Sequence, residues 1–312
     1  MSPFLTRRES LALLGSALAL GACRGDGRSV LKVGSQKGGT KALLTASGAL
    51  DGAPFEVEWS EFPAAQTLLE AVGGGAVDLG VAADAPFLFA YLSGSPIKAV
   101  SAQVANPRPS ESVALIVPPG SAVRDLAELK GKRVATSRGS IGHFFVLRAL
   151  EDAALPFDSV RFAFLSPGDA KAAFSSGAVD AWASWTPFLT TALKEGARIV
   201  VDGKYLINGY GFEIANDRAL LEKRGLISDF LRREAAALQW AKAHVDDFAR
   251  VLASETGLPL DIARVMAEKN GRSAVPITKQ VIEDQEKVVD LFRRAGEVKS
   301  MRSISSAFQM NI

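Results

Sequence analysis

Two short segments run through the same order of residues: a basic side chain, small residues, then the start of a helix-compatible stretch. They are Gln36-Lys37-Gly38-Gly39-Thr40 and Arg138-Gly139-Ser140-Ile141-Gly142-His143. A helix N-terminus presents free backbone N–H groups and the positive end of the helix dipole, and both favour an anion. Glycine lets the backbone approach closely. Two such turns opposed across a cleft would hold one small oxyanion from both sides. Gln36, Thr40, Ser137, Ser140 and His143 would add directional hydrogen bonds. Any α/β unit also uses glycine turns simply to reverse the chain, and that reading stays open. Neither turn ends in Gly-Lys-Ser/Thr, so neither is a phosphate loop, and a lone glycine pattern does not make a dinucleotide fingerprint.

Other residues with chemical potential are few. Asp84-Ala85-Pro86 follows a strand-like run and suits a helix cap with proline near the helix start, or else a carboxylate facing the cleft. Trp185-Thr186-Pro187 is its counterpart. Trp185 ends a strand, where open α/β sheets place ligands, and is expected either to wall a pocket or to fill a core. Phe87, Tyr210 and Phe212 are weaker candidates of the same kind. Catalysis is hard to assemble: there is no Gly-x-Ser-x-Gly elbow, and the two histidines, His143 and His244, stand alone. His244 falls in a polar-apolar helix where a surface role is expected. The single cysteine and two histidines offer no metal cluster and no intrachain disulfide, and no cofactor is expected.

The N-terminus reads as an address. Arg7-Arg8 precede an apolar run from Leu11 to Leu20, and Leu20-Gly21-Ala22-Cys23 follows. This is the layout of an export signal, similar to a twin-arginine signal, although Ser10 stands where that pattern has Phe. The general secretory route is the alternative. Leu20 to Cys23 looks like a lipobox, with Cys23 as the lipid attachment site; an ordinary cleaved signal with a chance cysteine is the other reading. Cleavage before Cys23 leaves 290 of the 312 residues and lowers the net charge from +2 to about +1. That balance argues against nucleic acid, whose binders carry a basic stripe or a positive excess. Residues 23–29 read as a tether.

The elements that must position the turns follow from an internal repeat. Lys32 to Gly39 aligns with Arg133 to Ser140 at an offset of 101, Gly75-Ala76-Val77-Asp78 with Gly177-Ala178-Val179-Asp180 at 102, and Asp84 to Phe87 with Trp185 to Phe188 at 101. Two lobes of similar plan are implied. In the first, patterning predicts strands at 30–34, 55–61, 77–81 and 97–104 and helices at 41–47, 64–72 and 86–92. In the second it predicts strands at 133–136, 160–165, 181–185 and 199–201 and helices at 142–153, 169–175 and 187–195. Such alternation argues an α/β fold with mainly parallel sheets. Asn106-Pro107-Arg108-Pro109 breaks the first lobe, 112–117 runs apolar into the second, and 207–215 is the expected return. After Asn216 the chain reads as nearly all helical. A helix over 278–295 aligns Val281, Ile282, Gln285, Val288, Val289 and Phe292 on one face, expected to pack back on the first lobe.

Taken together these residues resemble the periplasmic solute-binding proteins of ABC importers, and among them the aliphatic sulfonate-binding group with its taurine and nitrate relatives. The resemblance rests on Gly34 to Gly39, Trp59-Ser60-Glu61-Phe62-Pro63, Val77-Asp78-Leu79-Gly80, Asp125 to Ala135, Arg138 to His143 and Val179 to Pro187. It implies a type II binding-protein fold: lobe 1 from residues 30–108 and 210–312, lobe 2 from 109–209, two crossing strands, and a helical C-terminal extension. It also implies a non-enzymatic capture protein for a small anion, working with a membrane permease and separate ATPase subunits. Carried over by motif, the anion would meet Gln36, Gly38, Gly39, Thr40, Gly139, Ser140 and His143, with Asp84, Trp185 and Thr186 lining the tail side. Two positions depart from the group. Thr186 stands where Asp is frequent, which removes a partner for a ligand amine. Phe144 is bulkier than expected and bears on the second-lobe pocket. The alternatives are a binder of nitrate, bicarbonate, taurine or a pyrimidine precursor, or an enzyme similar to thiamine-pyrimidine synthases on the same fold.

Overall fold

The computed structural model describes residues 29–105, 110–269, 271–310 and 312. The export segment, Cys23 and the tether up to residue 28 lie outside the described residues, as do Asn106 to Pro109. Lobe 1 begins with β1 (Ser29–Gln36), α1 (Thr40–Ser47), β2 (Phe55–Phe62), α2 (Ala65–Gly73), β3 (Leu79–Ala83), α3 (Asp84–Leu92) and β4 (Ile97–Ala105). Lobe 2 follows with β5 (Val113–Val117), β6 (Arg133–Thr136), α4 (Ile141–Asp152), β7 (Arg161–Phe164), α5 (Pro167–Ser175), β8 (Ala181–Trp185), α6 (Phe188–Lys194) and β9 (Arg198–Asp202). The chain returns through β10 (Tyr210–Asn216), α7 (Asp217–Glu222), α8 (Arg224–Ala243), α9 (Val245–Thr256), α10 (Leu260–Lys269), β11 (Arg272–Val275) and α11 (Lys279–Arg294).

The lobes each own a sheet, ordered β11-β4-β10-β3-β1-β2 in lobe 1 and β7-β6-β8-β5-β9 in lobe 2. The repeated strands pair in parallel (β2-β1-β3 and β7-β6-β8), while β10 and β5 run antiparallel beside β3 and β8. The Gly-Ala-Val-Asp repeat has one structural task in both lobes. Asp78 Oδ2 accepts the Lys32 N–H at 2.7 Å, and Asp180 Oδ2 accepts the Arg133 N–H at 2.7 Å. Each aspartate N–H donates back to the carbonyl of the same partner, at 2.7 and 2.9 Å. The carboxylate thus satisfies the backbone where the third strand of each lobe enters beside the first.

Three expectations are corrected. The third strand of lobe 1 begins at Leu79, because Val77 and Asp78 form the turn just described. The C-terminal region holds a strand, β11, on the outer edge of the lobe 1 sheet; its four residues lie between helices and carry little periodicity. The buried face of α11 does not serve lobe 1 alone. It packs on α3 of lobe 1 and α4 of lobe 2. Phe292 meets Phe89 at 5.6 Å and Phe144 at 5.8 Å between ring centroids. Leu291 joins that face, and Ile282 is only half-buried. Beyond α11 the chain returns to lobe 1, where Gln309 N–H donates to Ala99 O and Phe308 packs edge-on against Phe87 and Phe212. No described helix is long and apolar enough to cross a membrane.

Candidate functional site

Two chambers open at the carboxyl ends of the lobe 1 strands and share Ala83 and Arg272. The first, about 200 Å³, is lined by the turn residues Gln36, Gly38, Gly39 and Thr40, by Gln103 and Gly211 of the sheet, and by Glu234, Leu238 and Phe248 of α8 and α9. The second, about 180 Å³, lies between the lobes and takes Val113, Ile141, Trp185 and Thr186 from lobe 2 with Tyr210, Lys204 and Lys269. The lobes meet around them. Lys194 of α6 pairs with Asp261 of α10, and Gln66 reaches the Arg138 carbonyl at 3.4 Å.

The lobe 1 turn is built to stay open. Gly38 has φ +76°, and a Cβ there would stand 2.8 Å from Thr256 Cγ2. Gly39 in the cap position has no side chain to offer, Ser35 Oγ accepts the Lys41 N–H at 3.1 Å, and Gly39 N–H turns back to Gln36 O at 2.7 Å. Gln36 is fixed by its amide donating to Val81 O at 3.1 Å. The N-terminus of α1 therefore faces the first chamber with its positive dipole end.

The lobe 2 turn is filled. Gly139 has φ +67°, matching Gly38, but a Cβ there would stand 2.5 Å from the ring of Phe89. Ser140 is the side-chain cap of α4, its Oγ accepting the His143 N–H at 3.1 Å. His143 is sealed from solvent; its Nδ1 accepts the Gly139 N–H at 3.2 Å. Its ring sits among Phe162, Phe164 and Phe292 at centroid distances of 4.8, 4.9 and 5.7 Å. Burial, helped by nearby Arg138, lowers the His143 pKa to about 3. The ring is therefore neutral, and its 3.7 Å approach to Glu297 is not an ion pair. Arg138 instead pairs with Glu297 and stacks over Phe164.

Of the residues expected from sequence, Gln36, Gly38, Gly39 and Thr40 line the first chamber and Trp185 and Thr186 the second. Gly139, Ser140 and His143 line neither, because Phe89 and the aromatic cluster occupy the space before them. Asp84 is not the cap of α3 but its first residue, with Ala83 in the cap position. Its Oδ1 accepts the Ala85 N–H at 2.7 Å, and its buried Oδ2 has no protein partner. Burial raises its pKa to about 6, partly offset by Arg272. Phe144 turns toward α11 rather than into either chamber. Exposed His244 stacks on Trp240 at 4.6 Å.

A charged cluster between the sheet and α8 falls outside the motifs legible in the sequence. Arg272 of β11 is accessible only in part, through the chambers it lines, and its Nε is sealed from solvent without a protein acceptor. Its Nη2 donates to Gly209 O at 2.7 Å and Gln103 O at 3.2 Å. Burial lowers its pKa to about 10, still charged at neutral pH, with Asp84 and Glu234 opposing the shift. Glu213 of β10 and Glu234 of α8 are buried side by side. Burial and the neighbouring carboxylate raise Glu213 well above its ordinary value. Burial raises Glu234 to about 7. A signal for Glu234 was available: it interrupts the apolar stripe Ile227, Phe230, Ala237, Leu238 and Ala241. Among the described residues no His, Cys, Asp and Glu group could hold a metal ion.

The architecture and site can be set beside known proteins. The NMT1/THI5-like family model matches residues 54–247. A protein of Escherichia coli (strain K12) named for binding aliphatic sulfonates is 34% identical over 268 residues, covering 84% of this chain and 83% of that protein. The alkanesulfonate-binding protein SsuA from Xanthomonas axonopodis pv. citri, solved bound to MOPS, superposes with a TM-score of 0.84 at 30% identity, covering 91% of this chain and 99% of that one. The periplasmic aliphatic sulphonate binding protein SsuA from Escherichia coli gives a TM-score of 0.80 at 29% identity, covering 91% and 93%. With a fold matched along nearly the whole described chain, this protein belongs to the NMT1/THI5-like family and, within it, to the aliphatic sulfonate-binding proteins.

Proposed function

We propose that this protein captures an aliphatic sulfonate between its lobes and delivers it, unchanged, to a membrane permease whose energy comes from separate ATPase subunits. The observation that carries this reading is Arg272, a guanidinium shared by both chambers whose sealed Nε–H has no protein acceptor. Unpartnered charged donors of this kind are strong hydrogen-bond sites for an anionic oxygen. The headgroup would sit between Arg272 and the N-terminus of α1, near Gln36, Gly38, Gly39 and Thr40. The tail would extend into the second chamber against Trp185, Ile141 and Ile207. Because that chamber draws on both lobes, ligand favours the closed arrangement. Thr186 leaves the tail side without an added carboxylate, so plain alkanesulfonates are favoured over taurine-like zwitterions. Export, with anchoring through a lipid on Cys23, completes the reading and fits relatives that are periplasmic.

A thermal-shift panel of alkanesulfonates, taurine, sulfate esters, nitrate and pyrimidines tests the ligand class. A ligand held at 100 times its dissociation constant stabilises by about 2.7 kcal/mol. Stabilisation by nitrate or a pyrimidine but by no sulfonate refutes the reading. Recovery of the bound sulfonate at unchanged mass separates capture from an enzyme on this fold.

A further inference from the structure

The Glu213–Glu234 pair is an expensive arrangement for a structural core. Both residues are nearly sealed, at 1% and 3% exposure. The two carboxyl groups share a hydrogen bond with each other, and no other protein donor reaches either oxygen of Glu213 or Oε1 of Glu234. Glu234 lines the first chamber together with the α1 turn, and Glu213, its hydrogen-bonded neighbour, alternates onto the strand face that also carries Gly211. Two adjacent buried carboxyl groups with no cation bonded to them destabilise a fold, and well-packed apolar residues would serve it better. Resting on the reading that a sulfonate occupies the first chamber, we propose that Glu234 is a ligand-contacting residue that works as a neutral acid. As the anion enters, the pair takes up one proton from solvent, and the Glu234 hydroxyl donates a hydrogen bond to a sulfonate oxygen.

The charges around the chamber require this. Arg272 and the α1 N-terminus draw an anion in, while an ionised Glu234 lining the same chamber would repel it. Protonation removes the repulsion and turns an acceptor-only group into a donor. The pair is poised for it: Glu213 already sits far above its ordinary range, and Glu234 loses its proton only near pH 7. The other charged groups facing the cluster respond differently. Asp84 at the head of α3 titrates near 6, Arg272 of β11 stays charged, and Lys41 of α1 is turned away to Glu61 at 2.5 Å. An alkanesulfonate is an anion throughout this range, so any pH response belongs to the protein.

Calorimetry of the whole mature chain with butane-1-sulfonate, from pH 6 to 9 in two buffers of different ionisation heat, tests the proposal. Wild-type affinity is expected to be flat below about pH 7 and to fall above it, approaching tenfold per pH unit, with uptake approaching one proton. Glu234→Gln keeps a donor, so it should bind with an affinity independent of pH and with no proton uptake. Asp84→Asn should keep the wild-type slope. Equal wild-type affinity at pH 6 and 9 without proton uptake overturns the proposal, and this arm needs no variant to fold. A slope that persists in Glu234→Gln and vanishes in Asp84→Asn overturns it too. Absence of sulfonate binding at every pH refutes the capture reading itself, and so is distinguishable from sulfonate binding without proton uptake.

Discussion

The two glycine turns share a backbone and differ in what surrounds it. Gly38 and Gly139, an offset of 101 apart, have φ of +76° and +67°. In lobe 1 the cap position is a glycine, Ser35 takes only the Lys41 N–H, and the helix start faces a chamber. In lobe 2 Ser140 caps the helix, His143 takes the glycine N–H, and Phe89 of the other lobe fills the concavity. The repeat therefore preserves a turn and not a task. Lobe 1 keeps the Arg272 Nε–H without a protein acceptor and buried carboxyl groups beside it. Lobe 2 converts the same turn into a seat for Phe89 of lobe 1 and contributes Trp185 and Thr186 as a wall of the second chamber.

The largest effect that would sharpen this contrast is expected at Arg272. Arg272→Met leaves buried carboxyls without their cation and should destabilise by about 3–5 kcal/mol at pH 8, less at pH 5, and abolish sulfonate binding. Urea melts at the two pH values, with calorimetry, check it. Next comes the sign of the pH dependence. Asp84 and Glu234 have raised pKa values, so their favourable contribution is full below the unfolded values of 3.8 and 4.5 and is lost as pH rises through about 6 and 7. His143 has a lowered one, so its contribution is full above 6.5 and is lost as pH falls toward about 3. A shift of two pH units corresponds to roughly 2–3 kcal/mol. Melts of Glu234→Gln should show a smaller loss of stability from pH 5 to 8, and melts of His143→Gln a smaller loss from pH 6 to 4. The reverse pattern would break the comparison.

A third test is Gly139→Ala, which strains a left-handed residue by about 1–2 kcal/mol and pushes against Phe89. It should weaken lobe closure, read as a larger radius of gyration by small-angle scattering with sulfonate present. The smallest pair is the most discriminating. Ser140→Ala removes a cap and should cost about 1 kcal/mol with affinity unchanged. Thr40→Ala should weaken binding several-fold with little movement of the melting temperature. If both variants lose affinity alike, the two turns are equivalent and the contrast fails.

Much of the architecture was legible in the chain. Strand and helix alternation, the repeat offsets and the glycine positions all report local backbone demands, which single residues record directly. The turn that lines the first chamber was legible for the same reason. What the repeat could not reveal is long-range filling. Phe89 lies 50 residues from Gly139 in the chain, and no local pattern says that its ring occupies the second turn. Arg272 was hidden because a four-residue edge strand has no periodicity to announce which way its first side chain faces. Asp84 read as a cap from its type and the following proline, yet the helix begins one residue earlier and buries it.

The position of β10 has a consequence for the order in which the molecule is made. It lies between β3 and β4, so the lobe 1 sheet stays split until residues 210–216 exist, and Phe308 must still arrive to complete its aromatic core. The sheet of lobe 2 is one uninterrupted stretch of chain, from Val113 to Asp202. During synthesis the middle of the polypeptide can settle while its beginning waits for its end.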